Sequence, residues 1–195
     1  MSLLVAAPMR LEAALIGSAA RGAQLRTTGM GRQRSRAAAG ALMNQPGDGL
    51  LVLGFCGGLD EESRPGDVVV ADEVSAADDE DDDAEPIPCD GAGELAAAVA
   101  GRGLRVRRGA IVSVARLALG ERRAQLHARG AIAVDMESAW LAAGARGRPF
   151  GVVRVVLDSL SHELLRPRLI VSGPRAALAL RRAASAAVRG WAPGG

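Results

Sequence analysis

The chain has 195 residues, of which 49% are hydrophobic and 24% charged, with a net charge of +2. This composition is that of one globular domain and is too apolar for a disordered chain. All basic residues are arginine, which excludes a phosphate-loop lysine, a Schiff-base lysine and pyridoxal chemistry.

Apolar segments and helical segments alternate along the chain. We expect strands at Leu3–Ala7, Gln24–Thr28, Gly49–Leu53, Val68–Ala71, Ala110–Val114, Ala131–Val134 and Gly151–Leu157. We expect helices at Met9–Ala20, Gln33–Met43, Glu94–Ala100, Glu121–Ala128 and Ser172–Trp191. Continuous apolar strands separated by helices favour an α/β fold, with a mostly parallel sheet covered on both faces.

Several features bear on location and partners. Cys56 and Cys89 are too few and too far apart for a disulfide framework or a metal finger. No apolar run approaches the roughly 20 residues of a membrane span, and the first residues lack the pattern of a secretion signal. We therefore expect a cytoplasmic protein with one domain over residues 1–195. The scarcity of aromatic side chains argues against nucleic acid as a partner.

Two short segments could bind ions but have simpler explanations. Asp78–Glu85 has seven acidic residues in eight positions, which is typical of a solvated loop, with a carboxylate metal site as the alternative. The turn Gly29-Met30-Gly31, with Arg32 beside it, precedes a helix and could hold an anion. A plain strand-to-helix turn explains it equally well.

The C-terminal helix is amphipathic. Ser172 is a predicted cap, and Pro174 suits the first turn. Apolar residues share one face, and Arg175, Arg182 and Arg189 line the opposite one. This basic face is either solvated or makes peripheral contact with an anionic membrane.

Four segments place functional groups at strand ends, where parallel-sheet proteins build their sites. Glu12 lies one turn into the first helix, and the predicted glycine-rich turn Gly54–Gly58 can approach a ligand closely. Asp135–Ser138 combines two acids and a thioether, although Asp135 and Ser138 are also natural helix caps. Asp158 follows the last apolar strand, where burial would keep its carboxyl group protonated, as a general acid requires. A surface or capping role is the structural alternative for each acid.

The segment Gly54-Phe55-Cys56-Gly57-Gly58 also matches a nucleophile elbow, which would make Cys56 the nucleophile of a hydrolase or amidotransferase. Such an elbow needs a helix directly after the cysteine and a histidine base nearby. The chain instead continues into another strand, and only His127 and His162 are available. We therefore favour structural burial of Cys56.

Taken in order, five groups of residues resemble the nucleoside phosphorylase and nucleosidase superfamily. They are Ala7–Glu12, Thr28–Gly31, Gly54–Leu59 with Pro65–Glu73, Ala133–Ser138, and Pro149–Asp158. The resemblance covers nearly the whole chain, and its order makes it specific. It implies a three-layer α/β/α domain around a mixed, partly barrel-like sheet, assembled into homo-oligomers.

The resemblance also implies cleavage of the N-glycosidic bond of an adenosine-type purine nucleoside, without a metal or organic cofactor. Cleavage leaves positive charge on the ribose and negative charge on the departing base. Asp158 would hydrogen-bond or protonate purine N7, and Glu12 would activate water. Glu137 would bind the ribose hydroxyls, with Met136 packed against the sugar. Three residues would border base and sugar: Phe55, Cys56 and Gly57.

Departures from the family pattern leave the nucleophile open between water and phosphate. Phosphorolytic relatives often have a hydroxyl residue where this chain has Phe55, and some have arginine where it has Val52. The usual phosphate cradle is therefore weakened, and phosphate is an optional co-substrate.

The substrate is equally open. Ser113–Leu117 lacks the acid and the base-stacking phenylalanine of many nucleosidases, which counts against 5′-methylthioadenosine/S-adenosylhomocysteine specificity. Three features look more like the hopanoid-associated phosphorylases: Thr28–Gly31, Asp135–Ser138 and Arg116. In this resemblance Arg116 is a substrate-binding residue. That resemblance implies adenine release from an adenosylated hopanoid. The non-enzymatic alternative is an arginine-rich binding module for nucleic acid or membranes.

Overall fold

Strands and helices alternate through the computed structural model, which describes residues 2–77, 85–159 and 169–192. The strands are β1 Leu3–Ala7, β2 Gln24–Thr27, β3 Gly49–Gly58, β4 Val68–Ala76, β5 Ile87–Pro88, β6 Val106–Ser113, β7 Ala131–Asp135 and β8 Phe150–Asp158. The helices are α1 Arg10–Gly17, α2 Arg32–Leu42, α3 Ala92–Ala100, α4 Glu121–Ala128, α5 Ser138–Leu141 and α6 Leu169–Gly190, with a 3₁₀ turn at Ala142–Ala145.

The strands form one mixed sheet, part of which closes into a barrel through β8. Their order is β2-β1-β3-β7-β6-β4-β5, and β8 pairs with both β3 and β4. It runs parallel to β3 and antiparallel to β4, which closes the ring β3-β7-β6-β4-β8. The mixed, partly barrel-like sheet is thereby confirmed. The expected mostly parallel sheet is also confirmed: among the described residues five strand pairs are parallel, whereas β3–β7, β4–β5 and β4–β8 are antiparallel.

Helices cover the sheet on both faces, because side chains alternate in direction along each buried strand. Leu51 and Leu53 of β3 belong to an apolar cluster that includes residues of α1, α3 and α6. Leu50 and Val52 belong to a second cluster that includes residues of α2 and α5. Burial on both faces explains why these strands read as continuous apolar runs.

Two expected boundaries that matter for the site are wrong. Gly54–Gly58 is the second half of β3 rather than a turn, because it pairs with β8 and, at Gly57 and Gly58, with β7. Asp158 is accordingly the last residue of β8 rather than the residue after it. Phe55, Cys56, Gly57 and Asp158 therefore lie on the hydrogen-bonded ring of strands, whereas Glu12 lies in α1 and Glu137 follows β7.

The C-terminal helix has the two faces that its sequence predicts. Leu180 and Ala184 are buried in the core, whereas Arg175, Arg182 and Arg189 are exposed. Its start differs: α6 begins at Leu169, so Ser172 is not its cap, and Pro174 lies inside the helix. Of the helices described, none is long and apolar enough to cross a membrane.

Two features of the sequence fall outside the described residues. They are positions 78–84 of the acidic run and His162. Glu85, the last residue of the run, is exposed. Within residues 2–77, 85–159 and 169–192, no group of three or more His, Cys, Asp or Glu side chains could hold a metal ion.

Candidate active site

A cavity of about 320 Å³ opens where β1, β3, β7 and β8 end. Glu12, Glu137 and Asp158, which are far apart in sequence, all line it. Their exposed fractions are only 1%, 5% and 2%. The volume lies near the lower end of the roughly 300–1,000 Å³ of small-molecule pockets. The structure therefore brings the three predicted acids around one space suited to a small ligand.

Glu12 is held between the start of α1 and β3. Its Oε2 accepts a hydrogen bond of 2.7 Å from the Met9 N–H, and its Oε1 accepts one of 2.7 Å from the Phe55 N–H. A Cβ at Gly54 would lie 2.5 Å from both Glu12 Oε1 and Arg154 Nη1, so only glycine admits these groups. Burial raises the pKa of Glu12, although the Arg154 charge and the two N–H donors oppose the rise. Glu12 is thus a fixed, desolvated carboxyl group.

Arg154 is the centre of a buried charge cluster. It is fully buried, and its Nη2 lies 2.8 Å from Asp135 Oδ2 and 3.5 Å from Glu137 Oε2. It also donates to Ser138 Oγ at 2.9 Å. Burial alone would lower the pKa of Arg154, but the surrounding carboxylates, with Asp135 foremost, raise it. Arg154 lies within the motif Pro149–Asp158, but its role in this cluster was not predicted from the sequence.

Asp135 is a structural acid. Its Oδ1 accepts hydrogen bonds from the Glu137 N–H at 3.1 Å and the Ser138 N–H at 3.2 Å, at the start of α5. The same oxygen accepts the Ser113 hydroxyl at 2.5 Å. The capping interpretation of Asp135 is therefore confirmed. Because both of its carboxylate oxygens have partners, Asp135 holds the segment that carries Glu137 in place.

Glu137 reaches from β7 to the start of α2. Its Oε1 accepts the Gly31 N–H at 3.1 Å, where the positive φ of 85° suits glycine. Burial, assisted by the Asp135 charge, raises the pKa of Glu137 to about 7, while Arg154 and the Gly31 N–H oppose the rise. The carboxylate of Glu137 thus uses an N–H of the turn at which the sequence suggested a bound anion.

Asp158 forms a buried ion pair with Arg123. The Arg123 Nη2 lies 2.5 Å from Asp158 Oδ2, and its Nε donates to the Ala118 carbonyl at 2.9 Å. Sequence analysis missed Arg123, because Glu121-Arg122-Arg123 reads as a solvated stretch. The available signal was its spacing of three residues from Leu126, the other buried residue of α4.

Four further predicted residues line the cavity: Phe55, Cys56, Gly57 and Met136. The nucleophile-elbow alternative for Cys56 is wrong, because this residue lies inside β3 and no helix follows it. Burial raises the pKa of its thiol, which opposes formation of a thiolate. His127 is engaged elsewhere, with Nδ1 3.0 Å from the Ala131 carbonyl oxygen.

Arg116 lies outside this cavity. It lines a neighbouring depression of about 730 Å³, together with Arg32, Arg34 and Arg122. The depression and the cavity share Met30, Val114 and Leu117. The structure therefore does not place Arg116 beside the three acids.

The closed mixed sheet, with a cavity at its strand ends, is the architecture of nucleoside phosphorylases and nucleosidases. Comparison with protein-family models matches residues 13–189 to the phosphorylase superfamily. The chain belongs to this superfamily, as its motifs indicated. A comparison with curated protein sequences gives no significant match.

Solved structures confirm the fold. The chain is similar to 5′-methylthioadenosine/S-adenosylhomocysteine nucleosidase from Neisseria meningitidis, solved in complex with methylthio-immucillin-A. The two sequences are 19% identical, and the structures align with a TM-score of 0.80 over 97% of this chain and 99% of that chain. It is also similar to futalosine hydrolase of Helicobacter pylori, at 16% identity and a TM-score of 0.73. That alignment covers 97% of this chain and 94% of the hydrolase. A third similar structure is a putative methylthioadenosine nucleosidase from Weissella paramesenteroides, at 22% identity and a TM-score of 0.74. That alignment covers 95% of this chain and 97% of the other chain.

Proposed function

We propose that the protein cleaves the N-glycosidic bond of an adenosine-type purine nucleoside and releases the base. The observation that carries this proposal is the convergence of buried Glu12, Glu137 and Asp158 on one cavity. Membership of the phosphorylase superfamily supports the reaction class.

The chemistry requires opposite charges to be stabilised at the two ends of the breaking bond. As the bond between C1′ and N9 breaks, its electron pair moves to the base and the ribose becomes cationic. Glu137 accepts hydrogen bonds from the ribose hydroxyls, with Met136 against the sugar. The Asp158–Arg123 pair faces the base. Each group acts in a site largely shielded from water, which strengthens these interactions.

We favour water as the nucleophile. Glu12 is oriented by two N–H groups, and burial raises the pKa of its carboxyl group, which makes its carboxylate a stronger base. Water attacks C1′ and transfers a proton to Glu12, while the electron pair of the C1′–N9 bond leaves with the base. The base then takes up a proton from solvent, and Glu12 returns its proton to solvent. Val52, which stands where some phosphorolytic relatives have arginine, is a fully buried core residue. Phosphorolysis is the second candidate, with phosphate oxygen attacking C1′.

The rim of the cavity favours an apolar 5′ substituent. Met30 and Leu117 are 45% and 52% exposed where the cavity meets the depression. Exposed apolar side chains at a cavity mouth are typical of a ligand-binding surface. An adenosylated hopanoid and 5′-methylthioadenosine both meet this requirement, whereas unsubstituted adenosine leaves the rim uncovered.

The test is chromatography of the products from adenosine, 5′-methylthioadenosine, S-adenosylhomocysteine and an adenosylated hopanoid, with and without phosphate. We expect adenine to appear without phosphate, and faster from the substrates with an apolar 5′ group. Adenine that appears only with phosphate would establish phosphorolysis. Glu12→Gln should abolish release, whereas Glu94→Gln, on an exposed acid of α3, should not. Failure to release base from every nucleoside would refute the proposed function.

Assembly and membrane contact belong to the same proposal. We expect a homo-oligomer in sedimentation experiments. We also expect the exposed arginines of α6 to hold the protein on anionic vesicles at low salt, because such attraction is screened by ions. Replacing Arg175, Arg182 and Arg189 together should abolish flotation with the vesicles; unchanged flotation would refute the contact.

A further inference from the structure

Two adjacent depressions along α6 are lined by arginines. The first, of about 330 Å³, lies between α6 and the segments that follow α1 and α3. Three arginines, a serine and an alanine line it: Arg102, Arg181, Arg182, Ser185 and Ala19. The second, of about 210 Å³, shares Arg182 with the first. Neither shares a lining residue with the cavity that the three acids line, so the function proposed above does not account for them.

The positive charge of the first depression is not neutralised within the part of the chain that the structure describes. Arg102, Arg181 and Arg182 are exposed, and their side chains form no ion pair or hydrogen bond with the described residues. No acidic residue among those described lines this depression. Arg105, which lines the second depression, is different, because it pairs with Asp67 at 2.7 Å. The first depression therefore concentrates three charges that lack a protein partner there.

Helix ends offset only part of this charge. Ala19 and Arg102 each follow the last residue of a helix by two positions, Gly17 of α1 and Ala100 of α3. The carboxyl end of a helix attracts cations because it carries about half a negative charge. Two such ends offset about one of the three arginines. The remaining guanidinium groups repel one another, and a bound anion would relieve this repulsion.

The donors of the first depression suit a phosphate monoester. Guanidinium groups are planar, stay charged and bind phosphate oxygens in pairs. Ser185 adds a hydroxyl group, whose oxygen accepts a hydrogen bond from Arg189. A phosphate monoester carries a charge of about −1.5 to −2 at pH 7 and three strong acceptor oxygens. A phosphate diester has less charge and fewer free oxygens, so it would satisfy the arginines less completely.

An exposed leucine indicates that the phosphate belongs to a lipid. Leu178 lines the second depression and is 51% exposed, although Arg175 and Arg182 flank it on the same side of α6. The inner side of the helix is already packed in the core through Ala179 and Leu180. An apolar side chain among cations is favourable at the boundary between lipid headgroups and acyl chains. A small soluble phosphate would leave Leu178 in water.

We propose that the two depressions form one membrane-docking surface. Arg102, Arg181 and Arg182 bind the phosphate monoester headgroup of an anionic lipid, and Leu178 enters the boundary of the acyl chains. This inference rests on the membrane contact in the proposed function, and it adds the binding site and the class of lipid. It does not depend on the cleavage step.

Vesicle flotation with the full chain tests this surface. The vesicles are phosphatidylcholine with either phosphatidic acid, a phosphate monoester, or phosphatidylserine, adjusted to equal zeta potential. We expect wild-type protein to bind the phosphatidic acid vesicles at least about 10-fold more tightly, because charge-assisted bonds to the monoester add to the general attraction. The double variant Arg102→Gln/Arg181→Gln should weaken this binding about 30-fold, at about fivefold for each arginine, and should remove the preference.

The matched control removes the same charge from another arginine-lined depression. Arg34→Gln/Arg116→Gln changes two exposed arginines of the depression beside the catalytic cavity and should retain the preference. All four positions are exposed, so circular dichroism should show folded protein in both variants. Leu178→Ala should weaken binding to both kinds of vesicle about 10-fold without changing the preference, because the apolar contact does not distinguish the headgroups.

Several outcomes would overturn the inference. They are equal binding to the two anionic vesicles, an unchanged preference in Arg102→Gln/Arg181→Gln, or the same loss in the control. Calorimetric binding of glycerol 3-phosphate without any binding to vesicles would assign the site to a soluble phosphate and would also overturn it. Base release by a protein without lipid preference refutes only this inference. Lipid preference in a protein that releases no base refutes only the proposed cleavage.

Discussion

Two buried arginines pack against glycines of β3, and their surroundings differ. Arg154 contacts two carboxylates and a hydroxyl group. Arg123 contacts one carboxylate and one carbonyl, and its Nη1 has no acceptor in the described part of the chain. A buried network in which every donor has an acceptor fixes the positions of its members. A network with an unpaired donor is satisfied less completely. Arg154 therefore fixes a cluster of acids, whereas Arg123 fixes the single carboxylate of Asp158 at the cavity.

The largest expected effect is on the Arg123 side of this comparison. Asp158→Asn removes the carboxylate that pairs with Arg123 and that we propose contacts the base. We expect base release to fall by about 10²- to 10⁴-fold. Product chromatography measures the rate, with circular dichroism as the check on folding. Asp48→Asn, on an exposed acid, is the control and should retain activity. Turnover of Asp158→Asn at the wild-type rate would remove Asp158 from the mechanism.

The second prediction concerns stability. Arg154→Met leaves Asp135 and Glu137 buried without their counter-charge, so we expect a loss of about 3–5 kcal/mol in the free energy of unfolding. Arg123→Met removes the counter-charge of a single carboxylate, that of Asp158, so we expect a smaller loss in the free energy of unfolding. Urea unfolding at pH 7 measures both variants. A larger loss for Arg123→Met would reverse the assignment of the two arginines.

The third prediction is a pH dependence with opposite signs for activity and stability. Burial raises the pKa of Glu137 to about 7. If Glu137 binds the ribose as proposed, kcat/KM should fall as pH drops below about 7 and its carboxylate takes up a proton. The folded protein binds this proton more tightly than the unfolded chain. The contribution of Glu137 to stability is therefore complete below the ordinary pKa of 4.5 and is lost as pH rises through about 7.

Glu137→Gln tests this assignment. In the wild type, the free energy of unfolding measured with urea should fall between pH 4.5 and 7 as Glu137 loses its proton. In the variant, which has no proton to lose at this position, that part of the fall should be absent. A wild-type kcat/KM that is flat from pH 5 to 8, or an unchanged stability profile in Glu137→Gln, would contradict the role of Glu137 in both measurements.

The smallest effect is expected from thiol alkylation. Burial raises the pKa of Cys56, and it raises that of Cys89 to about 12, so both are protonated at pH 8 and react slowly. Iodoacetamide at that pH should change activity by less than about twofold over an hour. Mass spectrometry shows whether the thiols were modified. Rapid inactivation together with Cys56 modification would reopen thiol chemistry at the site.

Most strands, the family and the three acids were predictable from the sequence, because apolar periodicity and short motifs are local properties. Glu121–Ala128 and Leu3–Ala7 lie where their residues predict. The strand conformation of Gly54–Gly58 was not predicted, because its glycines suggested a turn. In the structure these glycines instead let charged side chains approach the strand. The Met136-Glu137 motif indicated two residues that line the cavity, but the sequence did not predict which groups hold Glu137.

The sequence by itself determined the class of fold and the acids that line the cavity, since both are encoded in residue type and neighbouring residues. Only the tertiary structure decided the closure of the sheet through β8, the exclusion of Arg116 from the cavity, and the partner of Asp158. Arg123 and Asp158 are 35 positions apart, and Gly31 and Glu137 are 106 apart. Contacts at such separations depend on how the whole sheet closes, and no local pattern records them.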